Sequence, residues 1–279
     1  MQLIKPSVEL WSMYHTTREE HLAKCARVCY ASESKGKESD ERLIANLEKN
    51  KHLSMFRHYT HYFIVKKSNN ENYTKIYNLL RKYEYCPYFD FVVKNNVIYI
   101  SMNENVYKEE SNAQLISLID SSKVSFEEFA STEIGYSLLR YTFCITTQIS
   151  TSRELNRVSP NNIAEQSTRY VNFGKKKGIT ICLPHWWDNA SIFKKLLFKS
   201  YWKGCEIMYM LCLKLGFSPQ DARGVLPLDT ATKVVYTYSM YEWKHILDLR
   251  YFEITGKAHP NAKLIAKEIY NELSIRYNY

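Results

Sequence analysis

The chain has 279 residues, of which 45% are hydrophobic and 14% aromatic, including 23 tyrosines. That is enough apolar material for a large buried core, and it excludes a disordered chain. With 38 Lys and Arg against 29 Asp and Glu the formal net charge is +9, which favours anionic partners, although a lysine-rich solvated surface accounts for most of it.

Met1 to Trp11 reads as a short strand leading through Pro6 into a turn. The pattern then predicts a helix over 18–30, a polar loop over 32–39, and a second helix opened by Asp40 and Glu41, with Leu43, Ile44 and Leu47 as its apolar stripe. His58 to Val65 is rich in β-formers and is a strand candidate. Residues 66–132 are rich in Lys, Asn and Glu and surround a helix over 73–83, a hairpin over 88–101 turning at Asn95-Asn96, and a helix over 113–121. Their modest apolar content suggests an insertion on a core fold rather than an independent domain. Tyr136 to Ile149 returns to strand character, and a short helix over 152–157 is broken by Pro160, Asn161 and Asn162. The last third predicts a long amphipathic helix over 191–215 ending at Gly216, a helix opened by Ser218-Pro219, a strand over 232–240, and helices over 241–250 and 260–277. The whole reads as one mixed α/β domain spanning 1–279.

Seven cysteines are scattered without a CxxC pair or a His/Cys metal spacing, so no metal is expected. Cys25 and Cys29 stand four apart on a predicted helix and read as buried thiols. No secretory segment opens the chain, and its apolar runs are too short for a bilayer. These features predict a reducing, cytoplasmic location without a membrane. No recognised nucleic-acid motif accompanies the positive charge, so nucleic acid is not an expected partner.

The most informative stretch is 152–170, where Arg153, Arg157 and Arg169 lie among Ser, Asn, Gln and Thr around a helix break. A bend of that composition offers backbone donors, amides and guanidinium forks, which are the groups a phosphate and a heterocyclic base edge require. An exposed loop with ordinary surface arginines fits the composition at least as well.

The stretch resembles the signature of the flavin-dependent thymidylate synthases, in which Arg-His-Arg, seven residues and Ser are followed closely by Arg-Tyr. Ser152, Glu154, Leu155, Arg157, Ala164, Ser167, Thr168, Arg169 and Tyr170 fall on that family's residue types without a gap. Further segments are similar in the same order: Leu3 to Trp11, Ala26 to Tyr30, His52 to His58 (resembling His-Glu-Ser-Pro-Phe-Glu-His), Ala222 to Pro227 (Ala-Arg-x-x-Leu-Pro), Glu242 to Arg250, and Ala258 to Pro260.

The resemblance implies a thymidylate synthase-complementing type fold, with a curved, largely antiparallel sheet packed by helices. It implies a homotetramer with sites between subunits, and transfer of a methylene group from methylenetetrahydrofolate to C5 of dUMP. FAD would carry the hydride and NADPH would be the reductant. Carried over residue by residue, it implies that Arg169 and Arg223 hold the nucleotide phosphate and that Arg250 faces the uracil, with Ser167 beside the base as the second catalytic candidate. Glu154, Arg157, Glu165 and Gln166 complete the implied substrate side, and His52, Ser54, Arg57, Arg157, Ser239 and His245 the implied cofactor side.

The cofactor side departs from the family pattern. Arg157-Val158-Ser159 stands where the family has Arg-His-Arg, Arg57 replaces a glutamate, and Ser239-Met240-Tyr241 stands for Asn-x-Arg; beside the base, Glu165-Gln166 reverses Gln-Glu. Each lost buried cation removes a bond worth roughly 1.5–3 kcal/mol, so flavin affinity is expected to fall about a hundredfold or more. Arg153, Arg57 or Lys175 could compensate. Two other readings therefore stand beside the synthase: a pyrimidine-nucleotide hydroxymethylase, and a non-catalytic nucleotide-binding protein.

Overall fold

Strand pairing sets the layout. The computed structural model describes residues 1–11, 16–174 and 178–277. The opening segment holds two strands rather than one, β1 (Gln2–Ile4) and β2 (Ser7–Trp11), which join different sheets on either side of Pro6. Pro6 has no N–H to continue a ladder. Thr17 begins α1 (Arg18–Tyr30) with a reciprocal capping box: its hydroxyl accepts from Glu20 N, and the Glu20 carboxylate accepts from Thr17 N. The next helix, α2 (Lys37–Lys49), starts three residues before the expected Asp40, because Asp40 is held inward by Arg27 instead of opening the helix. A 3₁₀ segment (Leu53–His58) leads into β3 (Thr60–Lys66).

After α3 (Tyr73–Leu80) comes the expected hairpin, β4 (Phe89–Lys94) and β5 (Val97–Asn103). Asn95 and Asn96, at φ 52° and 59°, are both left-handed as a type I′ turn demands. Then follow α4 (Glu104–Lys108), α5 (Ala113–Ile119), β6 (Lys123–Val124), α6 (Phe126–Ala130) and α7 (Glu133–Ser137). Tyr136 thus belongs to a helical turn, and the strand expected from it starts later, as β7 (Arg140–Gln148). The short helix after it, α8 (Ile149–Leu155), starts and ends earlier than the sequence pattern indicated. The remainder is β8 (Ile163–Glu165), β9 (Thr180–Cys182), α9 (Ile192–Lys214), α10 (Pro219–Ala222), β10 (Ala231–Ser239), α11 (Met240–Arg250) and α12 (Pro260–Tyr277).

The fold is mixed α/β and largely antiparallel, but its strands divide among the described residues into two four-stranded sheets, ordered β2-β7-β10-β8 and β4-β5-β3-β6, and a parallel β1-β9 pair. Every residue of β7 is buried, as a central strand covered on both faces requires. The main core packs Phe143, Tyr236 and Tyr238 of the first sheet against Trp243 of α11 and Ile265 and Ile269 of α12. The second sheet has a core of its own, in which Phe63 and Ile100 meet Ile76, Leu80, Leu115 and Ile119. Residues 66–132 are therefore better packed than their composition indicated. Their few apolar residues are spaced to face β3, which precedes them in the chain.

Candidate active site

The loop that follows β8 brings the two expected phosphate arginines together. Ser167 N donates to the Cys29 carbonyl of α1 at 3.0 Å, and the Ser167 hydroxyl accepts from Arg169 N at 3.2 Å. Two cross-links then tie this loop to the start and end of α10: Arg169 Nη2 donates to Gln220 Oε1 at 3.5 Å, and Arg223 Nη1 donates to Thr168 Oγ1 at 3.2 Å. Both arginines are exposed, and among the described residues neither has a carboxylate partner. Two guanidinium groups held by neutral oxygens keep their charge available for an anion.

A second cluster forms on α8 and α11. Arg250, at the last turn of α11, donates from Nε to the Glu154 carbonyl at 2.6 Å, and its Nη2 lies 3.2 Å from the Glu154 carboxylate. Arg157 pairs with the same carboxylate at 3.2 Å. Burial and the Arg157 charge both lower the Arg250 pKa from its ordinary value, against the pull of Glu154. Asp248 and Glu253 are bound instead to Lys244 and Lys263, so Arg250 is not a surface counter-ion to them.

Glu165 joins the two clusters. Its carboxylate accepts from Ser152 Oγ of α8 at 2.8 Å and from Thr232 Oγ1 of β10 at 3.0 Å, and its strand runs straight into Ser167. Gln166, next along, points the other way and lines a cavity of about 620 Å³ with Trp11, Lys24, Arg27 and Lys233. The reversed pair thus faces opposite sides of the strand.

The expected cofactor positions do not assemble in the same manner. His52, the residue that precedes the 3₁₀ segment, and Ser54 on it are exposed, and His245 is exposed on α11. Ser239 is buried as the N-cap of α11, where its hydroxyl accepts from Glu242 N and its own N–H reaches the Glu242 carboxylate. Val158 packs against the main core. Arg57 donates to the Asn161 carbonyl at 3.5 Å and lies 5.5 Å from the centre of the Tyr88 ring. Of the residues that could compensate, Arg153 is exposed and Lys175 lies outside the described residues.

Sequence reasoning did not identify Gln220, Ser152 or Thr232 as site residues. Gln220 and Thr232 matter only through contacts 51 and 67 positions away, to which no local pattern points. Ser152 carried a signal, since it lies on the signature stretch.

The family model described as thymidylate synthase complementing protein matches residues 136–276, slightly more than half of the chain. A flavin-dependent thymidylate synthase from Synechocystis sp. is 30% identical over 69 residues, 25% of this chain, and the match spans about a third (32%) of that relative's length. Two solved structures of the UMP/dUMP methylase PolB from Streptomyces cacaoi, bound with 5-Br dUMP and with 5-Br UMP, align with a TM-score of 0.46. They are 16% and 15% identical, and the alignments cover 99% of this chain and 93% and 92% of theirs.

Proposed function

The chain belongs to the thymidylate synthase complementing protein family, and from that premise we propose that it transfers a one-carbon unit to C5 of a uracil nucleotide. The substrate in this reading is dUMP, and the carbon donor is methylenetetrahydrofolate. The observation that carries it is the convergence of Arg169 and Arg223, two guanidinium groups without a carboxylate partner among the described residues, across the loop and α10. In this reading they take the nucleotide phosphate, with Ser167, whose hydroxyl accepts from Arg169 N, beside them for the base.

Arg250 carries the catalytic part of the reading. When C5 becomes nucleophilic, negative charge spreads onto the ring carbonyls, and a fixed guanidinium there favours the transition state over the ground state. Its Nε bond to the Glu154 backbone holds the group in place, so little reorganisation is needed as the charge develops.

FAD, when bound, would supply hydride to the transferred carbon, with NADPH as its reductant. The residues present do not form a flavin cradle within one chain. Ser239 is committed to a helix cap, Val158 to the core and Arg157 to Glu154, leaving His52 and Ser54 at the 3₁₀ segment and His245 on α11. No step is therefore assigned to flavin. That arrangement favours a second reading in which the nucleotide site is retained without hydride chemistry, giving a hydroxymethylated pyrimidine or binding alone.

The proposed assembly is a homotetramer. α9 exposes Phe193, Leu197, Tyr201, Met208, Leu211 and Leu215 along one run of helical spacing, an apolar surface that a partner copy would cover. Residues 66–132 are read as an insertion that supplies three of the four strands of the second sheet. No helix among the described residues is long and apolar enough to cross a membrane, and the cytoplasm is the proposed location.

The test is incubation with dUMP in D₂O, with methylenetetrahydrofolate, FAD and NADPH added singly and together. Deuterium at C5, dTMP or 5-hydroxymethyl-dUMP supports the enzyme reading. No change at C5 under any combination, with dUMP still bound, leaves a nucleotide-binding protein.

A further inference from the structure

Tyr236 of β10 holds the end of α8. The residue is 1% exposed, and its hydroxyl shares one proton between the Ser152 carbonyl at 3.0 Å and Asn156 Oδ1 at 2.9 Å. Ser152 lies in the last turn of α8, and Asn156 follows the helix at φ −75° and ψ 76°. Asn156 is the centre of an inverse γ-turn, closed by Arg157 N on the Leu155 carbonyl at 2.9 Å. Burial and the nearby Glu165 charge push the Tyr236 pKa well above its ordinary value, so the phenol keeps its proton and serves as a donor rather than an acid or base.

The same face of β10 carries Thr232, four residues earlier, whose hydroxyl donates to the Glu165 carboxylate. Ser152 joins the two grips: its hydroxyl donates to Glu165 at 2.8 Å, and its carbonyl takes the Tyr236 proton. Two residues further on, the Glu154 carbonyl takes Arg250 Nε at 2.6 Å. α8 has only seven residues, too few for a helix to persist in water by itself, so contacts of this kind set its place. The phosphate arginines are held elsewhere, Arg169 by Gln220 at the start of α10 and Arg223 by Thr168 of the loop.

We propose that Tyr236 is a positioning residue of the nucleotide site, which sets Glu165 and the Glu154–Arg250 pair on the base side through Ser152 and Asn156 and leaves the phosphate side untouched. The proposal rests on the uracil-nucleotide reading above and adds to it the buried group that fixes the base side. Small displacements matter there, because a carboxylate or guanidinium aimed at a ring edge loses its bond when it moves by about 1 Å.

The experiment is calorimetry with dUMP and with deoxyribose 5-phosphate, which keeps the phosphate and lacks the base. The ratio of the two dissociation constants measures the base side alone. Tyr236→Phe removes the hydroxyl and keeps the ring. It is expected to lower that ratio by about tenfold or more, while the affinity for deoxyribose 5-phosphate stays within about twofold. Asn156→Ala, at a half-buried position, removes one of the two acceptors and is expected to lower the ratio by a smaller factor. Because it leaves Tyr236 in place, it keeps the test decisive should Tyr236→Phe not fold. Tyr238→Phe is the control: that ring is also buried, 5.8 Å from Tyr236 on the same strand, but its hydroxyl meets Asn161 Oδ1 at 3.5 Å instead of α8. It should lower the melting temperature and keep the ratio. An unchanged ratio in either Tyr236→Phe or Asn156→Ala, equal weakening of both ligands, or the same fall in Tyr238→Phe overturns the proposal and makes Tyr236 a core residue only. A ratio near one in the unaltered protein removes the uracil-nucleotide reading itself, and the proposal falls with it.

Discussion

Arg250 and Glu154 meet twice, through the Nε bond to the Glu154 carbonyl at 2.6 Å and through the guanidinium–carboxylate contact at 3.2 Å. The first contact uses backbone, so it orients the guanidinium whatever the ionisation of the carboxylate. The second leaves Glu154 shared with Arg157, and neither arginine is fully neutralised.

If Arg250 acts on developing charge, removing it lowers turnover more than binding. Arg250→Ala is expected to cut C5 exchange or product formation by about a hundred- to a thousandfold, while dUMP affinity changes far less. Arg250→Lys should recover only part of the rate, because an ammonium cannot make both contacts to Glu154. Equal losses in rate and affinity would make Arg250 a binding residue.

Arg169 and Arg223 should act on affinity. Either alanine substitution is expected to weaken dUMP binding by more than about tenfold in calorimetry, with deoxyuridine binding unchanged. Gln220→Ala removes only the positioning of Arg169 and should cost less. The phosphate assignment is lost if dUMP and deoxyuridine weaken together.

The flavin question can be tested at Val158 and Ser159. The unmodified protein is expected to purify with less than one FAD per chain, read from its visible absorption. Ser159 is exposed, so Ser159→Arg restores a cation without disturbing packing and should raise FAD affinity. Val158 packs on the core, and Val158→His should lower the melting temperature whether or not flavin binds. Stoichiometric, tightly held FAD in the unmodified protein would favour the plain synthase reading over the reading without hydride chemistry.

Stability should fall on mild acidification. Burial holds the His21 and His58 pKa values down to about 4 and about 3, from an ordinary 6.5. The unfolded chain therefore takes up protons that the folded chain refuses as pH falls below about 6.5, and stability is lost in that window. Glu104 is buried, but His61, Arg18 and Lys108 bring it down to about 2. Its contribution is present above its ordinary value and is lost as pH falls toward 2. Between pH 6 and 4.5 His21 and His58 contribute a slope approaching two protons, or about 2.7 kcal/mol per pH unit, and His61, whose pKa burial also lowers, acts in the same direction. His58→Gln should reduce that slope by about one proton. Denaturation midpoints that stay flat from pH 7 to 5 would rule out neutral burial of the two rings.

The α9 surface makes a prediction about assembly. Phe193→Asp combined with Leu197→Asp should shift the protein to smaller species in sedimentation equilibrium without loss of helicity, since both side chains are exposed in the single chain. An unchanged mass would remove α9 from the interface.

Residue order alone carried the parts that depend on local chemistry. The Asn95-Asn96 turn, the bounds of α1 and α12, and the resemblance carried by the stretch 152–170 were legible because turns, helical periodicity and motifs are short-range. Tertiary structure decided what depends on long-range pairing. Pro6 looked like a turn, but it separates strands of two different sheets. The sparse apolar residues of 66–132 looked inadequate until β3 gave them a common face. Ser239 matched a cofactor position by alignment, but its hydroxyl is committed to capping α11. Gln220 carried no motif at all, and it became a site residue only because α10 folds onto the loop that holds Arg169. A side chain's type follows from its codon, but the bonds left over for a ligand follow from what the fold has already bound.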